Sequence, residues 1–301
     1  MTIGQHPFEA YDVIKHYPGA VALAGVSTHF ASESVVGLIG RNGSGKSTLL
    51  HHATGLALPD VGTCLTFGES TAKLGGNQLE RIGVVPQENR FLEWMTVEQH
   101  LDYVASFYSL WDADRERRLL DDLDIPTKRV IGQLSPGNQQ KLAILTAVGH
   151  HPRLLLLDEP VSALDPIARE EFLRFVLDLV RDDGATVVIS SHALRDVERI
   201  VDQVVCLERG RVLEDRPLDD LLESYSEWIV TVEPGGTLPP SFAEPFVVSQ
   251  RMNGHRAAIV VRDAAREVAH FESSHGVRVE RKALNLERIF PLLIGGEGGA
   301  P

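Results

Sequence analysis

The segment Gly40-Arg41-Asn42-Gly43-Ser44-Gly45-Lys46-Ser47-Thr48 constrains this chain more than any other. It is a complete G-x-x-x-x-G-K-[ST] phosphate loop set between an apolar run, Val35-Val36-Gly37-Leu38-Ile39, and a helical pattern beginning at Ser47. Closely spaced glycines let the backbone curl with its N–H groups turned inward. That makes a nest for phosphate oxygens at a helix N-terminus, where the dipole already favours an anion. Asn42, Gly43, Ser44, Gly45, Lys46, Ser47 and Thr48 are therefore the expected nucleotide contacts. Lys46 brings a mobile charge to the β- and γ-phosphates, and the Ser47 hydroxyl is a ligand for Mg²⁺. A glycine-rich turn that binds nothing would need neither the strand, the lysine nor the hydroxyl.

The 301 residues exceed one average domain, so a large domain with a smaller companion is expected. A net charge of −13 without a basic run argues against a nucleic-acid partner, which needs concentrated Lys and Arg. Cys64 and Cys206 are far apart and lack zinc-ligand spacing, a pattern suited to a reducing compartment. No signal peptide and no bilayer-length apolar run is visible, so work at a membrane requires another chain. The paired histidines His51-His52 and His150-His151 point to different sides of a helix and do not have metal-ligand geometry.

Along the chain, Phe8 to Phe30 reads as two short strands around Tyr17-Pro18-Gly19. Strands are expected at 61–67, 81–85, 154–157 and 186–190, and helices at 112–124, 138–150, 166–182 and 193–201. Met95 to Gln133 is helical in pattern, with Val97, Leu101, Val104, Ala105 and Tyr108 on one stripe. Strands alternating with helices specify an α/β sheet. Composition shifts after Tyr225, and 233–240 is a Pro/Gly-rich linker. Beyond it, a hairpin around Met252-Asn253-Gly254-His255, a helix at 263–273, a strand at 277–279 and a helix at 284–293 suggest a small α+β module. The expected division is 1–225 and 226–301, with a helical subdomain at about 88–150 and a disordered tail from Gly295.

Leu154-Leu155-Leu156-Leu157-Asp158-Glu159 is a buried strand ending in two carboxylates. It can deliver Asp158 rigidly beside the phosphate loop to hold hydrated Mg²⁺. Glu159, one residue on, can polarise an attacking water as general base.

Four further features occur in a fixed order. Gln87 follows the strand Ile82 to Val85, and Leu134-Ser135-Pro136-Gly137-Asn138-Gln139-Gln140-Lys141 opens a helix. Ser162-Ala163-Leu164-Asp165 follows the acidic pair, and His192 ends the strand Val187 to Ser191. With the phosphate loop, this order resembles the nucleotide-binding subunit of an ABC transporter, over residues 8 to 222. The resemblance implies an α/β P-loop NTPase with a mixed sheet core, an antiparallel β subdomain and a helical subdomain.

It also implies roles. Tyr17 would stack on adenine. Gln87 would touch Mg²⁺ and the attacking water and relay nucleotide state to a permease. Ser135 and Gly137 would reach across a head-to-tail dimer to the γ-phosphate held by the partner's Lys46, and Asp165 would contact the partner's phosphate loop. His192 would hydrogen-bond the γ-phosphate and position Glu159. The cofactors implied are ATP and Mg²⁺. The partners implied are an integral-membrane permease and a second ATPase, as homodimer or as heterodimer with a related chain. The subunit would then be cytoplasmic, peripheral on the inner face of the cell membrane through the permease.

The signature departs from the family's LSGGQ, reading Leu134-Ser135-Pro136-Gly137-Asn138. Pro136 removes a backbone N–H from a loop that donates to phosphate, although Ser-Pro remains a sound helix start. The ATP-sandwiched dimer and its hydrolysis rate are where this departure tells. A single cassette without heptads sets the chain apart from translation factors and chromosome clamps, and Gln87 and His192 set it apart from a small P-loop kinase. Segments 191–200, 107–112 and 284–290 resemble exporter-type subunits paired with ABC-2-like permeases, with an importer as the alternative. Phe91, Trp94 and Met95 read equally as core residues or, as the resemblance implies, as part of the groove that receives a permease helix.

Overall fold

The computed structural model describes residues 6–161, 164, 166–192, 194–232 and 236–295. The chain divides into two compact units, Met1–Asp215 and Arg216–Pro301. That division falls ahead of the composition shift at Tyr225, because the segment leading into Tyr225 belongs with the second unit.

In the first unit, β1 (Phe8–Tyr17) and β2 (Ala20–Phe30) form an antiparallel hairpin. The strands are longer than the sequence pattern suggests, and Gly19 supplies the positive φ (82°) at the turn. Next come β3 (Val35–Gly40), α1 (Lys46–Ala53), β4 (Val61–Thr66) and β5 (Glu69–Ser70). The short α2 (Gly76–Leu79) then leads into β6 (Ile82–Val85). The helical stretch holds α3 (Val97–Ala105), α4 (Ala113–Asp122) and α5 (Pro136–Val148). Then follow β7 (Leu154–Asp158), α6 (Pro166–Asp183), β8 (Thr186–Ser191), α7 (Leu194–Glu198), β9 (Gln203–Glu208) and β10 (Arg211–Pro217), whose last two residues already count with the second unit.

Two sheets result: an antiparallel one in the order β2-β1-β4-β5, and a core sheet in the order β10-β9-β3-β8-β7-β6. Strands β3, β7 and β8 are buried throughout, which explains their unbroken apolar runs. Their parallel register pairs Ile39 with Ser191 and Asp158 with Ser190. The three strands therefore end at one edge, where parallel α/β sheets place their ligands.

The helical stretch forms separate helices where they were expected, and α3 ends at Ala105, short of Tyr108 on the expected stripe. Thr96 caps α3 in a capping box with Gln99, and Asp112 caps α4 through the Arg115 N–H. Ser135 caps α5 with Pro136 in its first turn, two residues earlier than the apolar periodicity alone marks it. Arg115 donates to Asp183 at 2.6 Å and to the His151 ring at 2.8 Å, tying the start of α4 to the end of α6. At Gly83 in β6 a Cβ would run into the Ala147 carbonyl, so strand and helix meet backbone to backbone there.

The second unit contains α8 (Leu218–Ser224), β11 (Tyr225–Val232), β12 (Val247–Asn253), β13 (Arg256–Arg262), α9 (Val268–His275), β14 (Val277–Ala283) and α10 (Leu286–Gly295). Its sheet runs β12-β13-β11-β14, and every adjacent pair is antiparallel. Trp228, Phe242, Ile259, Val261 and Phe271 form its core. Asn253 pairs with Arg256, so the hairpin loop is Gly254-His255 with Gly254 at φ 59°, one residue later than an Asn-Gly turn. The helix expected from Asp263 starts at Val268 instead. The linker residues 233–235 and the tail 296–301 lie outside the described residues.

Candidate nucleotide site

The phosphate loop leaves β3 at Gly40 and enters α1 at Lys46. Gly43 (φ 78°) and Gly45 (φ 110°) hold backbone angles that other L-residues rarely adopt. A Cβ on Gly45 would lie 2.6 Å from the Ala22 carbonyl, and one on Gly40 would strike the Leu207 carbonyl and the Ser44 hydroxyl. The loop is thus pressed against β2 and β9, and glycine is the residue that fits. Lys46, 6% exposed, folds its ammonium back onto the Gly40 and Arg41 carbonyls at 2.9 and 3.3 Å.

Glu159 follows the end of β7 in the left-handed region (φ 52°), an unusual conformation for a glutamate and one that recurs at functional sites. Its N–H donates to the Ser190 carbonyl at 3.2 Å and to the Ser190 hydroxyl at 3.0 Å. The buried carboxylate (7% exposed) then spans two groups. One oxygen is 2.8 Å from His192 Nδ1, and the other is 3.9 Å from Lys46 Nζ. Cation, carboxylate and imidazole stand in a row at the sheet edge. Asp158, also buried, accepts from the Ser190 hydroxyl. Ser190 therefore bonds the Asp158 carboxylate and the Glu159 backbone N–H at once. Sequence reasoning missed it, although a serine inside the otherwise apolar run Val187-Val188-Ile189 was its signal.

Ser47, Gln87 and Asp158, the three expected Mg²⁺ contacts, line one cleft of about 690 Å³ together with Thr54, Val85 and Leu156. A hydroxyl, an amide and a carboxylate are hard oxygen donors of the kind Mg²⁺ accepts. The Ser44 hydroxyl is buried and has no partner within the protein, as a phosphate-facing donor would be. Together with the closed glycine cradle, these features fit a nucleoside triphosphate and a divalent cation.

Asn42 and Gly43 are exposed on the loop, and Thr48 is half-buried in α1. Tyr17 does not line the cleft. It ends β1, 43% exposed, with the Lys15 ammonium 5.7 Å from its ring centroid. Ser135 and Gly137, at the start of α5, do not line their own chain's cleft either. The Ser135 oxygen accepts the Asn138 N–H at 3.2 Å, which leaves its O–H available as a donor. Gln139, adjacent to Asn138, turns its amide to the Ile131 carbonyl at 3.2 Å. Asp165 lies outside the described residues. The histidine pairs have structural contacts: His52 meets the Thr48 carbonyl, and His150 stacks on Tyr108, where burial holds its imidazole down to about 4.

The family model described as ABC transporter matches residues 23–162. The bacitracin transport ATP-binding protein BcrA of Bacillus licheniformis is 32% identical over 72% of this chain and 72% of its own length. The chain belongs to the ATP-binding subunits of ABC transporters. As an ABC subunit it binds ATP, and it is an ATPase that powers a transporter. The similarity to the Nod factor export ATP-binding protein I of Burkholderia thailandensis, at 30% identity, extends over 97% of this ABC subunit and 98% of that protein. The ribose import ATP-binding protein RbsA of Pseudomonas putida is 36% identical, but the subunit spans only 47% of its length. A solved ATP-binding subunit of an ABC transporter superposes with TM-score 0.66 at 31% identity, covering 72% of this subunit and 92% of that chain. The dimeric post-hydrolysis cassette MJ0796 bound to ADP and Pi gives 0.64 at 25% identity, with coverages of 70% and 98%.

Replacing Ser190 with alanine removes one partner from each carboxylate residue. We expect Ser190→Ala to lower stability by about 1–3 kcal/mol and to weaken ATP binding in Mg²⁺ more than in its absence. Denaturant midpoints and ATP titrations with and without Mg²⁺ check both effects.

Proposed function

We propose that this subunit is the ATPase of an exporter and works as a head-to-tail dimer on a separate membrane permease. The observation that carries the catalytic reading is the Glu159 carboxylate, buried between Lys46 and His192 beside the phosphate loop. Export is favoured because the Nod factor export protein matches along nearly the whole chain, second unit included.

In this reading the phosphate loop and Lys46 hold the β- and γ-phosphates of ATP. Glu159 takes a proton from the attacking water, and the γ-phosphoryl group passes to that water to give ADP and phosphate. Lys46 offsets the negative charge that spreads over the phosphoryl oxygens. The Nδ1 contact to Glu159 fixes the His192 ring and leaves Nε2 for the γ-phosphate. Ser47, Asp158 and Gln87 would hold Mg²⁺, which supplies further charge neutralisation across the phosphates. Tyr17 offers an open aromatic face to adenine.

The partner's Ser135 hydroxyl and Gly137 N–H, with Asp165, complete the site in the dimer. Closing and reopening of that dimer drive the permease. Exposed apolar side chains follow Gln87 in sequence, with Trp94 at 69% and Leu110 at 78%, and this is the surface for the permease. No described helix is long and apolar enough to cross a membrane, so attachment to the inner membrane face would run through that partner. Residues 1–225 would serve as the ATPase domain and 226–301 as an accessory module. Import is the second reading, supported by the identity to RbsA.

Glu159→Gln should lower ATP turnover by about 10²–10⁴-fold and trap an ATP-bound dimer that co-purifies with an integral-membrane permease. Turnover at the parent rate would remove the catalytic role. Recovery of ribosomes or DNA would remove transport, and a permease bound to an extracytoplasmic solute receptor would favour import. Restoring the missing donor with Pro136→Gly, in the Glu159→Gln background, should tighten ATP-dependent dimerisation by roughly fivefold, the gain of one donor less the cost of glycine's freedom. Sedimentation in saturating ATP measures this.

A further inference from the structure

We infer that Asp60 is a positioning residue for the nucleobase, fixing the end of β1 so that Tyr17 presents one ring face to adenine. This role presupposes that Tyr17 is the adenine platform, as proposed above. β4 begins at Val61, whose partner on β1 is Ile14. Lys15, His16 and Tyr17 therefore run past the end of β4 and pair on one side alone, with β2. A shift in the β1–β2 register between Lys15 and His16 disturbs even that pairing. A strand end of this kind frays unless another group takes up its outward N–H.

Asp60, the residue just ahead of β4, stands in for the missing strand. Its N–H donates to the Ile14 carbonyl at 2.9 Å. One carboxylate oxygen accepts the His16 N–H at 2.6 Å, and the other accepts from the Lys15 ammonium at 2.9 Å. The His16 ring nitrogen Nδ1 lies 3.2 Å from the first of these oxygens. The three residues ahead of Tyr17 are thus gripped by one residue. The His16 N–H, and after it the Lys15 ammonium, hold the Asp60 carboxyl down to about 2. Gly62 brings the clamp close: at φ 87° it has no Cβ to strike the Tyr11 and Asp12 carbonyls, so β4 starts flush against β1.

Lys15 carries the clamp to the ring. Its Nζ lies over the Tyr17 ring, within the reach of a cation–π contact. Asp60 holds the ammonium there, on one side of an exposed ring, and the opposite side is the one offered to a flat base. Stability does not account for the arrangement, because Asp60, His16 and Tyr17 are all exposed and exposed ion pairs contribute little. Asp60 touches no part of the nucleotide in this reading; it acts through Lys15 and the backbone of His16.

The test uses the full chain and two probes in Mg²⁺: ATP, and inorganic tripolyphosphate, which has the phosphates but no base. Asp60→Ala is expected to weaken ATP binding by about 3–10-fold, the range for one hydrogen bond, and to leave tripolyphosphate binding unchanged. Tyr17→Ala should weaken ATP binding by roughly tenfold, the scale of one base stacked on an aromatic ring. The double variant should bind ATP no more weakly than Tyr17→Ala alone, because Asp60 acts only through that ring. Asp60→Asn, whose amide oxygen can still accept the His16 N–H, should fall between the parent and Asp60→Ala. Unchanged ATP affinity in Asp60→Ala, equal losses for the two probes, or losses that add in the double variant would each overturn the role of Asp60. A Tyr17→Ala chain that binds ATP as the parent does would instead remove the adenine platform, and the role of Asp60 with it.

Discussion

The site depends on three parallel strands lying side by side in one register. Because β3, β7 and β8 pair as Ile39 with Ser191 and Asp158 with Ser190, the phosphate loop, the two carboxylates and His192 emerge at a common edge. Burial on both faces fixes that register, since slippage would strip each strand of its neighbours. The Ser190 hydroxyl then converts alignment into geometry. It donates to Asp158 and accepts from the Glu159 N–H, so the two residues are held at different attitudes to the loop. Glu159 in the left-handed region is the outcome, with its carboxylate between Lys46 and His192.

Much of this was legible in the sequence, because the loop and the acidic strand are local devices. Glycine spacing, a lysine and a hydroxyl specify the nest within a few residues, and four consecutive leucines before Asp158 specify a central strand. What the sequence withholds is tertiary. The backbone angle of Glu159, the hub at Ser190 and the Asp60 clamp on β1 arise from elements separated by dozens of residues. β11 escaped for a different reason: its buried residues Tyr225, Trp228 and Val230 do not alternate strictly, and they fall where composition changes. The hairpin turn at Gly254 was shifted by one residue because glycine, rather than the Asn-Gly pair, supplies the first central position.

The signature helix shows how a departure from the family's pattern is absorbed locally. Pro136 removes an N–H that a helix start cannot use internally, so α5 forms without penalty and Ser135 caps it. The consequence is confined to what that helix end presents to another molecule. The folded chain therefore carries a well-built loop cleft and a helix end that does not face it. In the proposed dimer, each chain contributes one half of each of two sites.

Mixing two crippled chains tests that central claim most directly. Lys46→Ala spoils a chain's own loop but keeps Ser135, whereas Ser135→Arg spoils the signature but keeps the loop. Neither variant alone can assemble a complete site, while a mixed dimer contains one. ATPase activity that is absent from each variant and appears on mixing is the predicted result. A Ser135→Arg chain that hydrolyses ATP at the parent rate, or mixed dimers that form and stay inactive, would contradict the account.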